Sequence, residues 1–237
     1  MTALVGTARP LSLSLFPEEN AMTRTRKLLF SAVALVGVAG LSTSLLVSPA
    51  VAQDEASHDH AAVEAVKVGQ AAPDFTLMNQ NGEPVKLSDH KGKIVVIEQF
   101  NDQCPYVQKF YTNGDMNKMA DKAEAMGVVW LAMDSSNFSN VEQNKEIAEK
   151  WSIDRPLLDD SDGTVGHQYG SKTTPHMFVI DKDGTLAYAG AIDDNRSSDP
   201  ADIAGATNYV MAAVESVMAG ETPTPNETKP YGCTVKY

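Results

Sequence analysis

The apolar run IVVIEQF, residues 94–100, limits the possible folds of this chain more than any other segment. Its first four residues are all β-branched, which is typical of a strand that is buried on both faces of a sheet. Such a strand requires covering elements on both sides, so the run predicts an internal strand of an α/β fold. Residues 105–126 then have apolar side chains at helical spacing, which places Cys104 between the end of a strand and the start of a helix.

The segments around this strand alternate between strand and helix patterns. PDFTL and PVKL, residues 73–77 and 84–87, flank an Asn-Gly turn and predict an N-terminal β-hairpin. The further predicted elements are a helix over 105–126 interrupted at 113–114, a strand over 128–134, a helix over 140–151, a hairpin of 176–181 with 185–190, and a final helix over 201–220. We therefore expect a central mixed sheet flanked by helices.

Residues 1–52 have the composition of an export signal. A basic segment at 22–27 precedes an apolar run over 28–47, and Ala50-Val51-Ala52 follows as a cleavage site. We expect the true start at Met22, cleavage after Ala52, and a mature protein in the periplasm or outside the cell. An uncleaved membrane anchor is the alternative, because the apolar run has about the 20 residues that span a bilayer.

The remainder divides into a flexible polar linker (53–66), one domain (67–220) and an extended, proline-rich tail (221–237). The net charge of the chain is −12, and removal of the leader makes it more negative. This acidity argues against nucleic acid as a partner and, after signal cleavage, against a membrane. His58 and His60 form an H-x-H pair in the linker, but two ligands alone do not make a metal site.

Two segments resemble a known family. The run GQAAPDFTL and the following residues up to position 100 are similar to the opening of redoxin domains, the alkyl hydroperoxide reductase and thiol-specific antioxidant group of the thioredoxin superfamily. Thr173-Thr174-Pro175 resembles the cis-proline loop of that superfamily. The resemblance covers roughly residues 67–220. It implies a thioredoxin-like fold and a reactive cysteine.

Cys104 has the position that such chemistry requires. Thiols have a pKa of about 8.5, and the N–H groups at a helix N-terminus lower it by stabilising the thiolate. Pro105 fits the first position of the helix. A small buried hydrophobe is the alternative role for the cysteine.

The cysteine motif differs from both main patterns of the superfamily. Val107 stands where thioredoxins have the second cysteine of C-x-x-C. Peroxiredoxins have P-x-x-x-T-x-x-C, and here Ile97 and Asn101 replace its proline and threonine. Asn101 is nevertheless a candidate hydrogen-bond donor to a thiolate or a peroxide.

Other candidate residues lie near Cys104 in the implied fold. Glu98 matches the buried acid of thioredoxins, which transfers protons, although a side chain reaching water at the sheet edge is an equal alternative. Thr174 and Pro175 would contact Cys104 and a substrate's extended chain. His176 is a candidate proton donor or a structural histidine. Arg196 is a candidate for the missing positive charge near the thiol.

Cys233, in the tail, is the other cysteine of the chain. Exported proteins usually pair an even number of cysteines, so we expect Cys104 and Cys233 to form the pair. A structural disulfide would close a loop of about 130 residues and stabilise the fold by roughly 4–5 kcal/mol in the chain-entropy model. Our preferred interpretation is catalytic, with Cys104 attacking and Cys233 resolving, within one chain or across a homodimer.

These residues predict an exported thiol oxidoreductase, with a peroxiredoxin-like peroxidase as the leading expectation. Thiol–disulfide exchange is the alternative, and a metal-binding or partner-binding module is a further one. The sequence contains neither G-x-G-x-x-G after a strand nor a Walker loop, so we expect no cofactor. Electrons would come from an external thiol reductant or a partner protein, and the substrate would be a small peroxide or a protein disulfide.

Overall fold

The computed structural model describes residues 64–237. The predicted leader, its start at Met22 and most of the linker lie outside the described residues. Within 64–237, no helix combines the length and the apolar composition that crossing a bilayer requires.

The domain contains nine strands and five α-helices within the described part of the chain. The strands are β1 (Thr76–Asn79), β2 (Pro84–Lys86), β3 (Val95–Phe100), β4 (Val129–Asp134), β5 (Leu157–Asp159), β6 (Thr173–Thr174), β7 (Met177–Ile180), β8 (Leu186–Gly190) and β9 (Cys233–Thr234). The helices are α1 (Pro105–Tyr111), α2 (Asp115–Ala125), α3 (Val141–Trp151), α4 (Thr164–Gln168) and α5 (Tyr209–Met218).

Seven strands form the central sheet in the order β2-β1-β5-β4-β3-β7-β8. Strand β3 lies inside it, parallel to β4 and antiparallel to β7. The β1–β2 and β7–β8 hairpins occupy the two edges. The predicted mixed sheet with an N-terminal hairpin is therefore confirmed.

The core confirms that β3 is buried on both faces. Val96 and Phe100 pack into one apolar cluster, to which α1, α2, α3 and α5 contribute. Val95 and Ile97 pack into a second cluster, to which α4 contributes. Since side chains alternate along a strand, the two clusters lie on opposite faces of the sheet.

Two helix boundaries show what local sequence decides. The predicted break between α1 and α2 is confirmed at Gly114, which precedes α2 with φ of +70°. The predicted helix over 201–220 was too long, because Pro200–Ile203 forms a 3-10 turn and α5 begins at Tyr209. Asn208 sets that start, since its side chain accepts a hydrogen bond from the Met211 N–H.

The short strands β6 and β9 were not predicted. They pair antiparallel in a separate two-stranded sheet, with Thr174 opposite Cys233. This pairing attaches the C-terminal tail to the loop that precedes β7.

Candidate functional site

Cys104 is the N-cap residue of α1, and Pro105 begins the helix, as predicted. The backbone N–H of Cys104 donates to the Asn101 carbonyl, which closes a turn between β3 and α1. The thiol is only 1% exposed. The strand, the turn and the helix therefore hold the thiol inside the protein rather than at its surface.

The loop before β7 packs directly against this thiol. The Thr174–Pro175 peptide bond is cis. The Sγ atom of Cys104 donates to the Thr174 carbonyl oxygen over 2.9 Å. The Thr174 hydroxyl is buried and has no hydrogen-bond partner within the described residues.

Cys233 reaches the same place from the tail. Its pairing with Thr174 in the β6–β9 sheet brings its side chain and its backbone N–H within hydrogen-bonding reach of the Cys104 thiol. Both cysteines are free thiols. Two cysteines that are far apart in sequence thus meet within one chain.

The two thiols differ in acidity. Burial raises the pKa of the Cys104 thiol, but hydrogen bonds from the Cys233 side chain and from the N–H groups of Cys233 and Val107 oppose it, and the pKa is lowered below that of an ordinary cysteine. Burial, followed by the bond and the charge of Cys104, raises the pKa of Cys233 to about 11. Cys104 is therefore the more acidic thiol of the pair and Cys233 the less acidic one.

Gly232 permits the close approach of the tail. Its φ is +136°, and a Cβ atom at this position would overlap the carbonyl group of Thr174. A residue with a side chain therefore does not fit where the tail crosses the cis-proline loop.

The tail is anchored on both sides of Cys233. Before it, the Tyr231 hydroxyl donates to the Asp193 carboxylate in a very short hydrogen bond. After it, Val235 is buried and its N–H donates to the Lys172 carbonyl, while the Tyr237 hydroxyl donates to the Ser171 carbonyl over 3.0 Å. The end of the tail, which the sequence predicted as extended over 221–237, is thus packed against the domain.

Glu98 is fully buried on β3, so the alternative of a side chain reaching water is wrong. It accepts hydrogen bonds from the Tyr111 hydroxyl and the Trp130 Nε1–H and lies 3.6 Å from the Arg155 guanidinium. Burial raises the pKa of Glu98, and Arg155 opposes that shift. These contacts join Glu98 to an internal network, and none of its hydrogen bonds goes to a cysteine.

The Asn101 and His176 side chains point to other partners than Cys104. The Asn101 amide donates to the Ser136 hydroxyl over 2.9 Å and accepts from the Gln103 N–H. His176 accepts from the Lys172 N–H through Nδ1. Burial lowers the pKa of His176 to about 3, so the ring is neutral near pH 7, which favours the structural alternative over the proton donor.

Arg196 is exposed, whereas the buried cation of this region is Lys109 on α1. The Lys109 Nζ lies 3.5 Å from the Asp193 carboxylate. Neither Lys109 nor Arg155 was predicted as a site residue. A lysine next to Phe110 on an apolar helix face was the signal for the first, while no local pattern indicates the second.

In a metal-binding module, Cys104 and His176 would be candidate ligands. Within 64–237, no three His, Cys, Asp or Glu side chains lie close enough together to hold a metal ion. His58 and His60 lie outside the described residues.

The mixed sheet, the cysteine at the start of α1 and the cis-proline loop against it define a thioredoxin-like protein with thiol chemistry. The AhpC/TSA family model matches residues 68–189. The chain belongs to the AhpC/TSA family and is a thiol oxidoreductase.

The relatives of this chain include proteins named for two different activities. The chain is 28% identical over 123 residues to the thiol-disulfide oxidoreductase ResA of Bacillus thuringiensis, which covers 52% of this chain and 69% of ResA. It is 30% identical over 136 residues to a Coxiella burnetii protein provisionally named peroxiredoxin bcp, covering 52% of this chain and 86% of that protein. The comparisons thus include both exchange proteins and a peroxiredoxin.

A solved structure extends the similarity through more of the chain. An uncharacterised conserved protein of Geobacillus kaustophilus has a TM-score of 0.63 and 27% identity, and covers 73% of this chain and 94% of its own. This match supports the fold beyond the segment that the family model covers.

Proposed function

We propose that this protein is a thiol–disulfide exchange protein whose redox pair is Cys104 and Cys233. The observation that carries the proposal is the contact of the two side chains at the cis-proline loop, with the pKa of one thiol lowered and that of the other raised. A nucleophile and a resolving thiol are thereby distinguished within one chain.

The exchange proceeds in two steps. The Cys104 thiolate attacks one sulfur of a substrate disulfide, which forms a mixed disulfide and releases the first substrate thiolate. Cys233 then loses its proton and attacks the Cys104 sulfur, which releases the second substrate thiolate and leaves a Cys104–Cys233 disulfide. Two electrons and two protons pass from the pair to the substrate, and the reverse sequence oxidises a dithiol.

Exchange replaces the peroxidase that we first expected as the leading function. The relatives named thiol-disulfide oxidoreductase favour it. Asn101, which stands in the place of the peroxiredoxin threonine, directs its amide to Ser136 rather than to the thiol. With its amide bonded to Ser136, Asn101 is not placed to polarise a peroxide at the thiol.

A peroxidase is the second candidate, favoured by the similarity to a protein named as a peroxiredoxin. In that cycle, Cys104 attacks hydrogen peroxide, which gives a sulfenic acid and water. Cys233 then condenses with the sulfenic acid, which gives the same disulfide and a second water.

The protein would act together with an external thiol or a redox partner protein, since the disulfide needs an electron donor or acceptor to complete a cycle. The signal-like residues 22–52 support a location in the periplasm or outside the cell. Oxidising compartments of this kind are where thiol exchange between proteins is required.

The test mixes reduced protein separately with oxidised glutathione and with hydrogen peroxide, and follows free thiols and intact mass over time. We expect the small disulfide to remove both thiols rapidly, and peroxide to react no faster than with a free cysteine. Cys233→Ser should accumulate a mixed disulfide on Cys104, and Cys104→Ser should react slowly with both oxidants.

Two other outcomes would replace the proposal. Rapid loss of two thiols with peroxide, and a sulfenic acid trapped in Cys233→Ser, would identify a two-cysteine peroxidase. A disulfide that resists reduction until the protein unfolds would identify Cys233 as a structural residue.

A further inference from the structure

One buried ion pair connects the helix that begins at Cys104 with the segment after β8. Lys109 lies on α1, the helix that begins at Cys104, and its side chain is 0% exposed. Asp193 lies in the segment after β8 and its side chain is 3% exposed. Their charged groups are 3.5 Å apart, and the Lys109 ammonium also donates to the Asn195 carbonyl over 3.1 Å. Charges this deeply buried require each other, since either one alone would be uncompensated.

The tail attaches to this ion pair two residues before Cys233. The Tyr231 hydroxyl donates to the Asp193 oxygen Oδ1, which also accepts from the Asn195 N–H. The Tyr231 ring is buried, lies 5.8 Å from the Lys109 ammonium and packs edge-on against Tyr106 of α1 at 5.9 Å. A hydrogen bond to a buried carboxylate is stronger than one between neutral groups.

Strand β9 consists of Cys233–Thr234, and a bend at Gly232, whose φ is +136°, separates Cys233 from Tyr231. Tyr231 and Val235 are buried on either side of the half-buried Cys233. Fixing Tyr231 therefore fixes the register in which Cys233 meets Cys104. Gly232 is the single residue between Tyr231 and Cys233, and its backbone packs against Thr174, so the position of Tyr231 determines that of Cys233.

We propose that Lys109, Asp193 and Tyr231 form a positioning triad that holds the tail in register and sets how readily Cys233 reaches Cys104. This inference rests on the proposed function, because the triad acts on the Cys104–Cys233 pair. Its residues touch neither thiol through hydrogen bonds, so they are positioning residues and not catalytic ones. The triad keeps Cys104 covered in the reduced protein and raises the effective concentration of its resolving thiol.

The test compares Tyr231→Phe with wild type. The substitution retains the ring and its packing on Tyr106, and removes only the hydroxyl that reaches Asp193. Tyr169→Phe is the matched control, because it deletes a hydroxyl that donates to the Pro73 carbonyl over 2.8 Å, and Tyr169 belongs to the other apolar cluster than Tyr231. Each variant is equilibrated in full-length form with glutathione buffers to obtain the effective concentration of Cys233, and the alkylation rate of Cys104 in the reduced protein is measured with iodoacetamide.

We expect Tyr231→Phe to lower the effective concentration by about tenfold and to raise the Cys104 alkylation rate by a similar factor, because a charge-assisted hydrogen bond is lost. Tyr169→Phe should change both quantities by less than about twofold, whatever its effect on Tm. If Tyr231→Phe lowers Tm but leaves both quantities as in wild type, or if the two variants change them equally, the triad does not position the tail.

The outcome remains separate from that of the proposed function. A wild-type protein that fails to exchange with glutathione would refute the exchange activity. The alkylation comparison of reduced proteins would still decide whether the triad holds the tail over Cys104.

Discussion

At the scale of single residues, the site consists of two identical functional groups made different by their surroundings. Cys104 receives hydrogen bonds from N–H groups at the start of α1 and from the tail, and these stabilise its charged form against burial. Cys233 is partly buried beside the Cys104 charge, which disfavours a second thiolate. Since two neighbouring thiolates repel each other, ionisation of the first defines the role of both.

This difference predicts the pH dependence of the reaction with iodoacetamide. The Cys104 alkylation rate should rise with pH to a midpoint below the pKa of a free cysteine, because its folded-state pKa is lowered. In Cys233→Ala the midpoint should move upward, since the alanine side chain cannot donate a hydrogen bond to the thiolate. The measurement is the rate of Cys104 modification between about pH 5 and pH 10, the range over which cysteines titrate.

Glu98→Gln provides the comparison for that profile. The hydrogen bonds of Glu98 go to Tyr111 and Trp130, so we expect the midpoint for Cys104 to stay where it is in wild type. A shifted midpoint would instead support the proton-transfer role that the sequence suggested for Glu98.

At the scale of elements, the decisive structure is the smallest one, the two-residue pairing of β6 with β9. It exists because the tail backbone passes close to Thr174, and Gly232 leaves the space for that passage. The same contact covers Cys104 and places Cys233 beside it.

Gly232→Ala should break this pairing. The added Cβ atom would overlap backbone atoms of Thr174, which have no room to move without disturbing the cis-proline loop. We expect displacement of the tail, faster alkylation of Cys104 and a much lower yield of the Cys104–Cys233 disulfide, measured by peptide mass mapping.

Gly220→Ala is the control for backbone strain alone. Gly220 also has a positive φ, +76°, but no atom lies within 4 Å of its added Cβ. A similar loss of disulfide in both variants would mean that the conformation of the chain, and not the contact with Thr174, explains the effect.

The elements also show which parts of the fold and the site a sequence specifies locally. The β-branched run of β3, Pro105 after Cys104 and the glycine between α1 and α2 are signals within a few residues, and their predictions are confirmed. The Glu98–Arg155 and Lys109–Asp193 pairs were not predicted, because each joins residues on different elements. A charged residue in the sequence does not show whether it will be buried or which distant residue will pair with it. The approach of Cys233 to Cys104 was predicted by counting cysteines, whereas the strand pairing that produces it was not.

At the scale of the whole molecule, the C-terminal tail packs against loops from several parts of the domain. Residues near the C-terminus of the described structure contact the loops after β4, before β7 and after β8. A Cys104–Cys233 bond would turn this non-covalent contact into a covalent one with little change in the native arrangement.

The oxidised protein should therefore be more stable than the reduced protein, by up to about 4–5 kcal/mol for a loop of this length in the chain-entropy model. Urea unfolding with and without dithiothreitol measures the difference. Cys233→Ser should unfold at the same urea concentration in both conditions. An oxidised form that is less stable than the reduced one would mean that the bond strains the native site.

The burial of Lys109, Asp193 and Cys104 also determines how this acidic protein responds to ionic strength. Mobile salt ions screen charges that face water and act weakly on charges enclosed by protein. Salt will therefore screen the exposed charges of this chain, whose net charge is −12, and will have little effect on the charge interactions inside the thiol site. Salt should therefore alter how often the protein meets a charged redox partner and leave the sulfur chemistry that follows the encounter unchanged.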